Sequence, residues 1–139
     1  MRANVHSRKS FLQPRLCRKK ILVLDDDLIV TEILGQIVKN LGNYPIVAHN
    51  ASVLASAKIR EFDAILLDLW LSDSSAEESL EVIAEQAFRG LIVLISGLDN
   101  EALEDACEKG RSLGLRVNGY LRKPISAESL EALLADLDY

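Results

Sequence analysis

A chain of 139 residues, 49% apolar with mean hydropathy +0.12, has enough apolar material for one packed domain. No apolar run approaches the roughly 20 residues that cross a bilayer, and no signal-like segment opens the chain. The net charge of −5 is uneven: residues 1–20 hold seven of the sixteen Lys and Arg and no acid, leaving nine bases against 21 acids, or −12, an acidic body that argues against nucleic acid as the main partner.

Residues 1–18 lack apolar periodicity and contain Pro14, so they read as a flexible basic N-terminal extension, with the folded domain spanning 19–139. From Lys19 onward strand and helix patterns alternate. Strands are expected over 20–24, 45–48, 64–68, 91–95 and 117–121. Between the first two, Val30, Ile33, Leu34, Ile37 and Leu41 form one helical stripe, ended by Gly42. A second helix is expected over 52–60. A third runs over 76–88 with Leu80, Ile83 and Ala84 inward, and a fourth covers 100–113, followed by Gly114. The last starts at the N-cap residue Ser126 and buries Leu130, Leu133, Leu134 and Leu137. Five strands alternating with five helices imply a parallel sheet covered on both faces. Cys17 and Cys107 lack metal-ligand spacing and read as reduced thiols of a cytoplasmic protein; His6 and His49 are solitary and receive no role.

The chemistry lies at strand ends. Asp25-Asp26-Asp27 follows the apolar run Ile21-Leu22-Val23-Leu24. Three carboxylates cannot follow that strand into the core, so they crowd at its C-terminal edge, where mutual repulsion calls for a cation. That edge is where open α/β sheets bind ligands, and clustered hard oxygens suit magnesium. Asp68 closes Ile65-Leu66-Leu67, Ser96 closes the run 91–95, and Lys123 follows Tyr120-Leu121-Arg122. In a parallel sheet these groups share one edge. Acids for a metal, a further carboxylate, a hydroxyl and an ammonium suit phosphoryl transfer, which depends mainly on positioning and charge neutralisation.

The order LVLDDD, FDAILLDLWL, LIVLISG and GYLRKP resembles the receiver domain of two-component response regulators over residues 19–137. The resemblance implies a flavodoxin-like three-layer α/β/α fold with a five-stranded parallel sheet of order 2-1-3-4-5. It implies a signalling switch rather than a conventional enzyme. Asp68 would accept the phosphoryl group from a phosphohistidine on a sensor histidine kinase or histidine phosphotransfer protein. Asp26 would bind Mg2+ directly and Asp25 mostly through water, with Asp68 and the Trp70 carbonyl completing the protein ligands. Lys123 would pair with the phosphoryl oxygens, Ser96 would bond one of them after transfer, and Tyr120 would be the aromatic switch. The Lys123-Pro124 peptide is expected to be cis. The face of the fourth helix, fifth strand and fifth helix would report the switch, often through homodimers, with neither nucleic acid nor membrane as partner of this chain.

Some positions depart from the family pattern. Ser72 stands where proline is usual, four residues after the phosphoacceptor, and Ser75-Ala76 replaces Asp-Gly, so the loop after Asp68 is expected to be more mobile or to follow another path. The spacing from Ser96 to Lys123 is about five residues longer than usual, implying a longer fourth helix or a longer loop after it. The stretch GLDNEALEDACEKGRSLGLRVNGYLRKP is similar to receivers fused to EAL-type cyclic-di-GMP phosphodiesterases, although no such catalytic domain is present in these residues. Two other readings stand beside the first. One is a receiver-like interaction module that signals without phosphorylation. The other is a haloacid-dehalogenase-type phosphatase with Asp25 as nucleophile, suggested by Asp-x-Asp at 25–27 but opposed by Ile29 where Thr or Val is usual. Asp27 itself is expected to cap the first helix. Trp70 and Leu98 are expected to form an apolar rim that shields the site from water.

Overall fold

The computed structural model describes residues 18–97 and 100–137, with Asn100 described through its backbone. The three apolar runs become the centre of the sheet. β1 (Lys20–Leu24), β3 (Ala64–Asp68) and β4 (Leu91–Ser96) are buried almost throughout. Continuous burial is what parallel strands with cover on both faces require. β2 (Tyr44–Ala48) and β5 (Arg116–Arg122) flank them, and the order β2-β1-β3-β4-β5 with all neighbours parallel is the one expected. Strand ends lie within one residue of the expected positions.

Among the described residues, four α-helices cover the sheet: α1 (Leu28–Asn40), α2 (Ala76–Glu85), α3 (Asn100–Ser112) and α4 (Ala127–Leu134). The starts of α1, α2 and α4 follow local hydrogen-bond chemistry. Asp27 Oδ1 accepts the Ile29 and Val30 N–H groups at 2.9 and 3.3 Å. Ser75 and Glu78 form a capping box, and Ser126 Oγ accepts the Ser129 N–H at 3.0 Å. One core layer joins Leu22, Leu67, Leu80, Ile83, Ile92 and Leu103; the other joins Ile21, Val23, Leu34, Leu66, Val93 and Leu130. Each fully buried Leu or Ile contributes about 1.5–3 kcal/mol of hydrophobic stabilisation. None of the helices among the described residues is long and apolar enough to cross a membrane.

Four expectations change. The helix expected over 52–60 is instead two short 3-10 turns, Ala51–Ala55 and Ala57–Glu61, broken at Ser56. Leu54 and Ile59 are both fully buried. Five residues apart, they would point about 140° away from each other on an α-helix, whereas the break lets both face the core. The buried face of α1 is Thr31, Leu34, Gly35 and Val38, leaving Ile33 at 47% exposure. The helix therefore sits rotated from the expected stripe, with Gly35 turned to Pro45 and Val47. The third helix stops at Glu85 rather than 88, because the chain turns at Ala87 (φ +58) before Phe88 re-enters the core.

The fourth change concerns cover. Ile46 and Val47, adjacent on β2 and so on opposite faces, are both exposed, at 44% and 40%. Among the described residues only the 3-10 turns follow β2, so this edge strand is more exposed than the three central strands although α1 packs against it. The ambiguity after β4 also resolves. Only residues 113–115 separate α3 from β5, so no long loop follows this helix. Gly110 of α3 lets the helix lie close on β5: a Cβ there would stand 2.6 Å from Val117 Cγ2. A bulge at Asn118 restores the β4–β5 register, pairing Leu94 with Tyr120 and Ser96 with Arg122.

Candidate metal centre at the sheet edge

The parallel register brings the acids together. Leu24 pairs with Leu67, so the next residue of each strand, Asp25 and Asp68, lies side by side at the carboxyl edge. Both are buried, at 0% and 3% exposure, whereas Asp26 on the following loop is exposed. Asp25 Oδ1 accepts the Asp27 N–H at 2.9 Å. Its Oδ2 makes an ion pair with the Lys123 ammonium at 3.0 Å but has no well-directed hydrogen bond among the described residues. The same ammonium stands 3.7 Å from Asp68 Oδ1, which also accepts the Trp70 N–H at 3.3 Å. Lys123 is held there by its own backbone, whose N–H donates to the Ser96 carbonyl at 3.0 Å, and the Lys123-Pro124 peptide is cis.

Burial and the neighbouring Asp25 carboxylate push the Asp68 carboxyl up to about 6, against the downward pull of Lys123 and the Trp70 N–H. At neutral pH it remains mostly ionised, and it is more basic than an exposed aspartate. Burial pulls the Lys123 ammonium down, but the Asp25, Asp68 and Asp27 carboxylates outweigh it and hold the pKa above the ordinary lysine value. A half-buried lysine thus stays charged because it lies among acids. Burial likewise raises the Cys107 thiol, an inert core residue.

Asp25, Asp26 and Asp68 each present one carboxylate oxygen, all within 4.8 Å of one another. Opposite ligands of an ion with metal–oxygen distances near 2.1 Å lie about 4.2 Å apart, so small side-chain adjustments would close this set on a hard divalent cation. The buried Asp25 Oδ2, which among the described residues has the Lys123 ammonium beside it but no well-directed hydrogen bond, is suited to positive charge.

The remaining expected residues differ in their placement. Ser96 is fully buried, one residue beyond Ile95, the β4 partner of Asp68. Tyr120 is half-buried, packed on the core edge beside an open groove lined by Pro124, Ser126, Ser129 and Leu133. Trp70 is 63% exposed and borders a second groove, with Ser72, Asp73, Asp105 and Ala106. Leu98, its expected partner in an apolar rim, lies outside the described residues, as does the basic extension before Arg18.

The loop after Asp68 holds what the sequence reading missed. It is tied down by polar contacts rather than by proline and glycine turns. The Ser72 N–H donates to Asp26 Oδ2 at 3.0 Å. Both Asp73 carboxylate oxygens accept the Ala51 N–H, at 3.1 and 3.0 Å. Ser74 Oγ bonds Ser79 Oγ at 2.9 Å, and Leu71 bridges Ser74. The only sequence signal was the serine at position 72, since a proline there has no N–H to donate.

Comparison with known proteins agrees with this geometry. The profile of the response regulator receiver domain matches residues 21–135. The transcriptional regulatory protein YdfI of Bacillus subtilis is 31% identical over 114 residues, covering 80% of this chain and 51% of that protein. CrdR of Helicobacter pylori, another transcriptional regulatory protein, is 27% identical over 118 residues, covering 83% of this chain and 53% of its own length. This chain thus spans about half the length of these curated relatives. The crystal structure of a response regulator from Colwellia psychrerythraea superposes with a TM-score of 0.70 at 28% identity, covering 86% of this chain and 95% of that one. With the receiver-domain match spanning residues 21–135, the phosphatase reading falls away. The chain belongs to the response regulator receiver domain family.

Proposed function

We propose that this receiver domain is a magnesium-dependent phosphoacceptor switch with Asp68 as the acceptor. The observation that carries the reading is the convergence of Asp25, Asp26, Asp68 and Lys123 on one sheet edge. An Asp68 oxygen attacks the phosphorus of a phosphohistidine, forming an acyl phosphate as the P–N bond breaks and the leaving imidazole nitrogen takes a proton. Asp25, Asp26, Asp68 and the Trp70 carbonyl would hold magnesium, which would supply charge neutralisation for the incoming phosphoryl group. The Lys123 ammonium, between Asp25 and Asp68, shifts to the phosphoryl oxygens. Ser96 then donates its hydroxyl to one of them, and Tyr120 turns inward from the groove beside α4. Trp70 at the groove mouth limits access of hydrolytic water.

The phosphoryl donor is a sensor histidine kinase or a histidine phosphotransfer protein in the cytoplasm. The output surface is the α3–β5–α4 face, open to a second copy or to a domain beyond this chain. Incubation with acetyl phosphate and magnesium tests the assignment. Wild-type protein gains one acyl phosphate, mapped to Asp68, and Asp68→Asn gains none. Full labelling of Asp68→Asn refutes it.

A further inference from the structure

We infer that the Ser72 backbone amide is a positioning group for magnesium, acting through Asp26. The inference rests on the proposed metal role of Asp26. Among the acids of the cluster, Asp26 is the exposed one, on a loop where an aspartate side chain samples several rotamers. Ser72 lies 46 positions away in sequence, and its N–H meets Asp26 Oδ2 at 3.0 Å. That contact holds the Asp26 carboxylate, which presents an oxygen to the acidic cluster, against the loop.

The donor itself is fixed. On one side of Ser72, Leu71 forms a bridge with Ser74 across the turn. On the other, Asp73 is anchored to the Ala51 N–H, and Ser75 is locked in the α2 capping box. The loop therefore reaches Asp26 from a rigid base built on α2 and the first 3-10 turn. A hydrogen bond that orients a ligating carboxylate lowers the ordering cost of metal binding and is worth about 10-fold or more in affinity. The amide, not the serine hydroxyl, supplies it, so the side chain at 72 is free to vary unless it is proline.

Calorimetric titration of the metal-free protein with magnesium chloride separates the possibilities. Ser72→Pro removes the donor and is expected to raise the magnesium Kd about tenfold, while Ser72→Ala retains the amide and restores affinity to within about twofold of wild type. Equal affinity of the Pro and Ala variants, both folded by circular dichroism, overturns the inference. Should the proline disturb the loop, the wild-type Ser72 amide proton decides. In nuclear magnetic resonance spectra it is expected downfield, returning toward random-coil values in Asp26→Ala. An identical Ser72 resonance in the two proteins overturns the inference. Asp26→Asn serves as the control for the metal site: wild-type affinity in that variant removes the ligand role of Asp26 and the inference with it.

Discussion

Replacing Asp68 by asparagine keeps the shape of a protonated carboxyl and deletes the charge. Folding raises the Asp68 pKa from 3.8 to about 6, so the folded state holds this proton more tightly than the unfolded chain does. Its contribution to stability is fully present below pH 3.8 and is lost as the pH rises through 6. At roughly 1.4 kcal/mol per pH unit, the ionised side chain costs about 3 kcal/mol of folding stability at pH 8. The Lys123 ion pair is already inside this figure, because it lowers the same pKa. In urea denaturation with chelator present, Asp68→Asn is expected to be about 3 kcal/mol more stable than wild type at pH 8, with Tm higher by about 10 °C. At pH 4 the gap should shrink below about 1 kcal/mol, since the folded wild type is then protonated. Saturating magnesium should narrow the gap at pH 8 by supplying charge to the wild-type pocket. Equal stabilities at pH 8, or a gap of the same size at pH 4 and pH 8, would refute the electrostatic account of the site.

Lys123→Ala leaves Asp25 and Asp68 facing each other without their shared cation. Because the Lys123 side chain is 25% exposed, the cost is expected near 2 kcal/mol rather than that of a fully buried pair, leaving the domain folded by circular dichroism but slow to label with acetyl phosphate. Gly110→Ala places a methyl 2.6 Å from Val117 and is expected to destabilise the domain by about 2 kcal/mol in urea titrations, with magnesium affinity unchanged. Trp70, the only tryptophan, should change its emission when magnesium and then beryllofluoride are added, because its amide bonds Asp68 and its carbonyl is a proposed metal ligand. Trp70→Asn should shorten the acyl phosphate lifetime, and an unchanged lifetime removes its shielding role.

The strands were legible because each buried run is short, aliphatic and closed by a polar residue. From that punctuation alone Asp25, Asp68, Ser96 and Lys123 could be assigned to one edge of a parallel sheet. The caps at Asp27 and Ser126 were legible too, since a cap depends on a side chain and the two or three amides that follow it. Tertiary structure decided whatever depends on what a segment packs against. Residues 52–60 carry helical apolar spacing, yet placing both Leu54 and Ile59 in the core favoured two 3-10 turns. The rotation of α1 followed from its seat against Pro45 and Val47, which its own periodicity does not contain. The loop after Asp68 lost its proline and glycine signals, and its hold on Asp26, Ala51 and Ser79 runs through backbone amides and small polar groups. A backbone N–H is present at nearly every position, so no sequence pattern marks the one that will meet a carboxylate 46 residues away; only the folded chain brings the two together.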